Sequence, residues 1–151
     1  MGNSVISPLE GVLVTPLKEI ATPGGNVLHA MKAADLGYAG FGEAYFSKIE
    51  PGAIKPWKRH RLMTLNLIVP VGSIRFVIYD DRSESSTAGK FQQVVLSPGH
   101  YCRLTIVPML WMAFQGSTDS GGVLLNIADS LHDPAECDRK PIDQIPYNWH
   151  R

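Results

Sequence analysis

Residues 51–72, PGAIKPWKRHRLMTLNLIVPVG, hold the densest group of potentially reactive side chains in this 151-residue chain. The basic and imidazole members of the group are Lys55, Lys58, Arg59, His60 and Arg61. An apolar run at 62–71 follows at once, and Gly72 closes it as a turn. A polar cluster that opens into a buried strand is how a small β-barrel places side chains at the mouth of its cavity. The alternative is a solvated, basic strand end that binds nothing.

The composition of the chain argues against several classes of protein. The 14 basic and 14 acidic side chains balance, so no net field predicts a nucleic-acid or membrane partner. No apolar run approaches about 18 residues and no signal peptide opens the chain, which predicts a cytoplasmic protein. Cys102 and Cys137 lack the spacing of a CxxC motif, so we expect free thiols rather than a disulfide framework.

The spacing of apolar runs predicts an all-β protein. Strand-like segments recur about every 8 to 15 residues, and no window has the apolar period of a helix. Residues 43–49 alternate as a half-buried strand does, and 73–79 is the expected hairpin partner of 62–71 across Gly72. Beyond Asp129 the chain becomes polar and rich in proline, which predicts a wrapping tail. We expect one domain over residues 1–151.

Strand alternation divides the basic cluster between two faces. In one straight strand Lys58, His60 and Asn66 share a face, and Arg59 and Arg61 share the other. The first face is therefore the expected cavity face.

The same stretch resembles the first motif of the cupins, G-x5-H-x-H-x3-4-E-x6-G. The matching residues are Gly52, Lys58, His60, Thr64 and Gly72. Residues 107–112 resemble the second motif, P-x-G-x-x-H, and place Met112 where a cupin has its last histidine ligand. An ammonium group repels a cation, and a hydroxyl and a thioether are poor ligands for the usual metals. We therefore expect no metal and no cofactor.

Within the cupins, the chain resembles the dTDP-4-dehydrorhamnose 3,5-epimerase family. Residues 80–91, DDRSESSTAGKF, are similar to that family's D-x-R-x-x-S-P-T-F-G-x-W loop, and 145–149, IPYNW, to its I-x-W ending. Residues 111–114, WMAF, are similar to the end of its I-P-x-G-x-x-H-G-F string. The resemblance covers residues 11–149 and implies a cupin, that is, a double-stranded β-helix or jelly-roll barrel, which forms a homodimer. It also implies a nucleotide-linked 4-keto-6-deoxy sugar as substrate, in deoxysugar or cell-surface polysaccharide biosynthesis.

The resemblance further implies proton abstraction next to a ketone. The family's base is a histidine held by an aspartate, and a tyrosine on the far side returns a proton. The base position matches Lys58 here, the tyrosine position matches Asn126, and Asp143 is the candidate for the aspartate. The family's phosphate-binding arginine matches Gly24.

Two side chains are candidates for the base. Lysine acts as a base only where burial or a neighbouring cation lowers its pKa, and otherwise Lys58 binds an anion or nothing. Histidine titrates near neutral pH, so His60 on the same face can serve instead. The alternative for His60 is a hydrogen-bonded structural role.

Other polar and aromatic side chains are candidates to bind the substrate. They are Arg59, Arg61, Asn66, Arg75, Tyr79, Trp111 and Asn126. The alternative for the aromatic members is core packing.

The sequence thus supports two functions. One is a metal-independent nucleotide-sugar epimerase or ketoisomerase, with His60 or Lys58 as base. The other is an inactive cupin that binds a sugar, a nucleotide or a small anion. Nucleic-acid binding is disfavoured, because the basic run is not part of a wider positive stripe.

Overall fold

The chain is described over residues 8–150 by a computed structural model, and its regular secondary structure consists almost entirely of β-strands. The strands are β1 (Val12–Pro16), β2 (Glu19–Ile20), β3 (Val27–Leu28), β4 (Glu43–Ile49), β5 (Ile54–His60), β6 (Leu65–Gly72), β7 (Ile74–Tyr79), β8 (Phe91–Leu96), β9 (Cys102–Ile106), β10 (Trp111–Gly116), β11 (Gly122–Ala128) and β12 (Cys137–Lys140). Short 3-10 helices occur at Pro134–Glu136 and Ile142–Gln144. The all-β prediction is confirmed. Residues 1–7 and 151 of the predicted domain lie outside the described residues.

The strands form two five-stranded antiparallel sheets packed around a common core. The first sheet has the order β1-β9-β6-β11-β4, and the second has the order β12-β5-β10-β7-β8. Strands β2 and β3 form a separate two-stranded ribbon. From β4 onward nearly every strand lies in the sheet opposite its predecessor, so the chain winds as a double-stranded β-helix. The predicted jelly-roll barrel is confirmed.

The space between the sheets is filled by apolar side chains that alternate along each strand. Leu65, Leu67 and Val69 of β6 face Phe76 and Ile78 of β7 across this core. Side chains two residues apart share a face, which is why each strand supplies every second residue. Complete burial of such a side chain stabilises the fold by about 1.5–3 kcal/mol. The alternating pattern therefore both forms the strands and holds the sheets together.

The predicted hairpin across Gly72 is wrong. Strand β6 pairs with β9 and β11, whereas β7 pairs with β8 and β10. Gly72 has a left-handed backbone (φ 80°), and a Cβ there would lie 2.2 Å from the carbonyl oxygen of Gly121. The chain uses this position to cross between sheets, so the two apolar runs cover each other across the core instead of pairing edge to edge.

The predicted straight run from the basic cluster into the apolar strand is also interrupted. Strand β5 belongs to the second sheet and β6 to the first, and residues 61–64 connect them. This connection changes the alternation, so Leu65 and Leu67 point inward while Asn66 points outward. The predicted face shared by Lys58, His60 and Asn66 does not exist.

The C-terminal tail packs on the outer face of the second sheet. There it covers a second apolar layer that includes Trp57, Trp111 and the tail's own Ile145 and Trp149. The indole N–H of Trp57 donates to the carbonyl of Ile142 at 3.2 Å, which fastens the tail to the sheet. The tail also contributes β12, a strand that the sequence did not predict, as a new edge beside β5.

Cys102 and Cys137 are both free thiols, as expected. Burial raises the pKa of each thiol above its ordinary value. Within residues 8–150, no helix has the length and apolar character needed to cross a membrane.

Candidate active site

A cavity of about 250 Å³ lies between the two sheets, and the edge strands β4 and β12 both contribute to its lining. Its apolar wall comes from β6, β10 and β11. The side chains of that wall are Leu65, Leu67, Met112, Phe114 and Leu124. A concave, mostly apolar pocket with a few converging polar groups is the usual form of a small-molecule site.

A β-bulge on β5 decides which of its side chains reach the cavity. Lys58 pairs with Met112 and Lys55 with Phe114, so Ala113 alone stands opposite two residues of β5. The extra residue turns Trp57 to the outer layer and leaves both lysines on the cavity side. Bulges next to active sites commonly re-aim side chains in this way.

His60, at the end of β5, lines the cavity and is paired with a carboxylate. Its Nδ1 lies 2.5 Å from Oε1 of Glu136, and the side chains are 15% and 9% exposed. The other carboxylate oxygen, Oε2, accepts hydrogen bonds from the backbone N–H groups of Leu62 and Met63 at 3.0 and 3.2 Å. Three hydrogen bonds thus fix the pair in one geometry.

The charge state of Glu136 follows from these contacts. Burial by itself raises the pKa of the carboxyl, but the hydrogen bonds from His60, Leu62 and Met63 outweigh it. The net pKa lies below the ordinary value, so Glu136 is ionised at neutral pH. An ionised carboxylate only accepts hydrogen bonds, so Nδ1 of His60 is the donor and Nε2 is left to accept a proton.

The turn before β10 supports the same histidine. Met109 has a left-handed backbone (φ 76°), which is unusual for a residue other than glycine, and its N–H donates to the carbonyl of His60 at 2.7 Å. Such backbone strain concentrates near functional sites.

Tyr45 and Asn126 provide the polar groups on the opposite wall of the cavity. They are Cα partners on β4 and β11 of the first sheet, and the amide Nδ2 of Asn126 donates to the Tyr45 hydroxyl at 3.0 Å. The buried Oδ1 of Asn126 has no hydrogen-bond partner within the described residues. The pair therefore presents a hydroxyl and an open acceptor towards the cavity, facing His60 from the other sheet.

Four basic residues contribute to the lining of the cavity: Lys55, Lys58, Arg139 and Lys140. The ammonium group of Lys140 itself lies on the outer face of the second sheet, against Trp111. Lys55 donates to the carbonyl of Lys48 at 2.9 Å, and the Lys140 ammonium lies 4.8 Å from the ring centre of Trp111. Lys58 and Arg139 form no ion pair or side-chain hydrogen bond within residues 8–150.

Three predicted binding residues lie on the opposite face of the second sheet. The Arg59 guanidinium is 2.7 Å from Asp138 and is stacked over Trp111, with its Cζ 4.7 Å from the ring centre. Arg61 also binds Asp138, and the indole N–H of Trp111 donates to Asp81 at 2.9 Å. The contacts with Asp138 join the tail to the sheet, and none of the three predicted residues lines the cavity.

The next three predicted binding residues are also structural in their contacts. Asn66 lies on the outer face of the first sheet and donates to the carbonyl of Gly37 at 3.0 Å. Arg75 donates to the carbonyl of Trp149 at 2.7 Å, and the ring of Tyr79 packs 4.5 Å from that of Phe91.

Asp143, the predicted partner of the base, lies exposed in the second 3-10 helix and does not line the cavity. The carboxylate beside His60 is Glu136 instead. Both residues belong to the tail, where the resemblance to the family is loose and the sequence offers no register. Of the predicted site residues, the structure thus brings His60, Lys58 and Asn126 to one cavity.

Three residues of the cavity region were not predicted: Glu136, Tyr45 and Arg139. A signal existed for Tyr45, since residues 43–49 alternate and pairing of β4 with β11 would have placed it beside Asn126. None existed for Glu136 and Arg139, because their position depends on β12 joining the edge of β5.

No group of three or more His, Cys, Asp or Glu side chains within residues 8–150 is arranged to hold a metal ion. His60 is the one side chain of these four types in the described lining of the cavity. The metal-free site remains a prediction.

The chain matches no family model. Over 106 residues it is 30% identical to the probable low-salt glycan biosynthesis epimerase Agl13 of Haloferax volcanii. The matched segment is 70% of this chain and 66% of that protein. The match thus spans just under two thirds of the relative's length.

Two solved structures are similar over most of the chain. The dTDP sugar isomerase from Desulfovibrio desulfuricans G20 has a TM-score of 0.90 and 39% identity, covering 94% of this chain and 92% of that one. A double mutant of ChmJ, a 3'-monoepimerase from Streptomyces bikiniensis, in complex with dTDP, has a TM-score of 0.84, covering 95% and 76%. Its identity is 17%, so this second likeness shows the fold alone.

Proposed function

This chain belongs to the family of nucleotide-sugar epimerases and isomerases that includes dTDP-4-dehydrorhamnose 3,5-epimerase, and on that premise we propose that it is an active member. The reaction is removal of a proton next to the ketone of a nucleotide-linked 4-keto-6-deoxy sugar, without a metal. The observation that supports the proposal is that His60, which lines the cavity, is hydrogen-bonded to Glu136 behind it.

His60 is the general base of this proposal. Because Nδ1 is hydrogen-bonded to the ionised Glu136, Nε2 has the lone pair that takes the proton from carbon. The imidazolium that forms is stabilised by the same carboxylate, and histidine is the side chain that most often serves as a general base. Glu136 is a positioning residue, since it acts through the histidine.

Tyr45 is the proton donor of the proposal. The Asn126 amide donates to the Tyr45 oxygen, so the phenolic hydrogen remains free to point at a bound sugar. The family resemblance puts a tyrosine at position 126, and here the hydroxyl comes from the neighbouring strand instead. A base and an acid on opposite walls reach opposite faces of a sugar ring, which is what inversion at carbon requires.

The first test measures uptake of solvent deuterium by a panel of dTDP-, UDP- and GDP-linked 4-keto-6-deoxy sugars. Mass spectrometry detects the deuterium in each sugar. We expect exchange at C3 or C5 with at least one sugar, and loss of that exchange in His60→Asn. His132→Asn, in an exposed loop outside the cavity lining, is the matched control and should exchange at the wild-type rate. Absence of exchange with every sugar, in a protein that binds dTDP, would leave only a binding function.

The metal-free mechanism has its own test in elemental analysis of the purified protein. We expect no stoichiometric metal. One equivalent of zinc, iron or manganese would contradict the proposal, since the described lining supplies a single histidine as a ligand.

We also propose that the protein is a cytoplasmic homodimer. Exposed apolar side chains support the dimer, since Leu36, Phe41 and Phe46 are 73%, 65% and 67% exposed. Phe46 lies on the outer face of the first sheet, because its neighbour Tyr45 faces the cavity. Light scattering should give the dimer mass for the wild type and the monomer mass for Phe46→Glu, whereas a monomeric wild type at high concentration would contradict the dimer. Cell fractionation tests the location.

A further inference from the structure

We propose that Lys58 and Arg139 form the subsite that binds the diphosphate of the nucleotide sugar. The inference rests on the proposed function, because it takes a nucleotide-linked sugar as the ligand. It differs from what the family resemblance implies, since the position of the family's phosphate-binding arginine matches Gly24. Here the arginine comes from β12, the strand that the tail adds to the second sheet.

The two cations lie next to each other on neighbouring strands. Arg139 is the Cα partner of Lys58 across the antiparallel pair of β12 and β5, and both line the cavity. Residues in this relation have Cβ atoms about 4.5–5.5 Å apart. Both also act on the Cys137 thiol, whose pKa is raised by burial and partly restored by Arg139 and Lys58.

This arrangement is unfavourable in the absence of an anion. Like charges directly opposite each other on paired strands destabilise a sheet. No acidic side chain lines the cavity within the described residues, and neither cation has an ion-pair partner there. The other two cations of the lining are occupied, Lys55 by the carbonyl of Lys48 and Lys140 by the ring of Trp111. Two adjacent unpaired cations are what a diphosphate requires.

The size of the cavity also favours a position for the phosphates beside Lys58 and Arg139. About 250 Å³ is slightly less than the roughly 300–1,000 Å³ of pockets that enclose drug-sized ligands. The cavity thus has room for the sugar ring beside His60, while the nucleotide lies outside. Lys58 is two residues before His60 on one face of β5, and the exposed Arg139 lies across from it. A diphosphate that joins the sugar to the nucleotide then lies within reach of this pair, where a planar guanidinium can bind two phosphate oxygens at once.

Calorimetric titration with dTDP, which has the diphosphate but no sugar to react, tests the subsite. We expect Arg139→Gln to bind dTDP about tenfold more weakly than the wild type at the same salt concentration. Lys90→Gln removes one positive charge from an exposed loop outside the cavity lining and should bind dTDP as the wild type does. Any binding of thymidine, which has no phosphate, should be the same in all three proteins.

Thermal unfolding gives a second readout. Without ligand, Arg139→Gln should unfold at the same temperature as the wild type or higher, because a repulsion has been removed. With dTDP, the wild type should gain more stability than the variant. The proposal is overturned if Arg139→Gln binds dTDP as tightly as the wild type does, if thymidine binding falls equally, or if the wild type binds neither dTDP nor inorganic pyrophosphate.

The subsite and the catalytic function can fail separately. If Arg139→Gln still catalyses deuterium exchange and its KM is unchanged, the proposed subsite is wrong and the proposed function is still supported. Binding of dTDP that depends on Arg139, in a protein that exchanges no proton of any sugar, would support the subsite and overturn the catalytic proposal.

Discussion

The two faces of β5 have similar numbers of charged groups but use them differently. On the outer face, Arg59 lies 2.7 Å from Asp138 and 3.5 Å from Asp81, and Arg61 also binds Asp138. On the cavity face, His60 has one carboxylate partner and Lys58 has no ion pair within the described residues.

The difference teaches that partners, rather than the number of basic residues, separate structural from functional charge. Each outer cation is neutralised by a tail carboxylate, so the outer cluster holds the tail in place. The tail in turn places Glu136 against His60 and Arg139 in the lining of the cavity. The structural face therefore builds the functional one.

The largest expected effect concerns the carboxylate that holds His60. Glu136→Gln should lower kcat by about a hundredfold or more with little change in KM, because Glu136 contacts the base and not the substrate. Asp143→Asn should keep the wild-type kcat, since that carboxylate is exposed and outside the cavity lining. Steady-state kinetics of both variants make the comparison, and a loss confined to Asp143→Asn would restore the assignment made from the sequence.

A second effect separates proton removal from proton return. Tyr45→Phe should lower formation of the inverted sugar by about a hundredfold, while deuterium uptake catalysed by His60 continues. Tyr38→Phe, which removes the hydroxyl of a tyrosine outside the cavity lining, should leave both rates unchanged. NMR of the product measures inversion, and mass spectrometry measures deuterium uptake. Equal loss of uptake and inversion in Tyr45→Phe would contradict the assigned role.

A smaller effect is expected for the outer face. Asp138→Asn should destabilise the fold by about 1 kcal/mol or less, because the ion pairs are partly exposed. Hydrogen bonds from Arg61 and then Arg59 lower the pKa of Asp138 from 3.8 to about 2. A carboxyl group whose pKa is lower in the folded state stabilises that state at pH values above its pKa in the unfolded state. This stabilisation is lost as the pH falls through the pKa of the folded state. The stability difference between wild type and Asp138→Asn should therefore be full above pH 4 and shrink as pH falls to 2 in urea titrations.

The smallest expected effect is on the free energy of unfolding, which should change in opposite directions when a cation is removed from each face of β5. Lys58→Gln should stabilise the protein without ligand by a few tenths of a kcal/mol, because it removes repulsion from Arg139. Arg59→Gln, the same loss of charge one residue away, should destabilise it, because Asp138 and Asp81 lose a partner. Urea unfolding of both variants tests this. If both midpoints were above the wild-type midpoint, or both below it, the distinction between the two faces would be contradicted.

Much of the fold could be predicted from local alternation. The half-buried strand predicted over residues 43–49 has the bounds of β4, where side chains two residues apart share a face. Partner choice could not be predicted in the same way, since β6 and β7 are adjacent in sequence and yet face each other across the core. The four amino acids of β12, CDRK, have no apolar alternation and are a strand only because β5 offers an open edge.

The candidate site was predictable only in part for the same reason. His60, Lys58 and Asn126 lie on strands that the sequence indicates, and all three line the cavity. The connection at residues 61–64, before β6, changed the alternation, which moved Asn66 to an outer face. Glu136 depends on contacts 76 residues away along the chain, which no local pattern records.

The central claim is that His60 abstracts the proton and Lys58 binds charge. Single-turnover deuterium uptake at saturating substrate, in His60→Asn and Lys58→Gln side by side, tests it most directly. The account predicts that uptake is lost in His60→Asn and persists near the wild-type rate in Lys58→Gln, whose defect appears only at low substrate concentration. Uptake that persists in His60→Asn and disappears in Lys58→Gln would contradict the account and identify the lysine as the base.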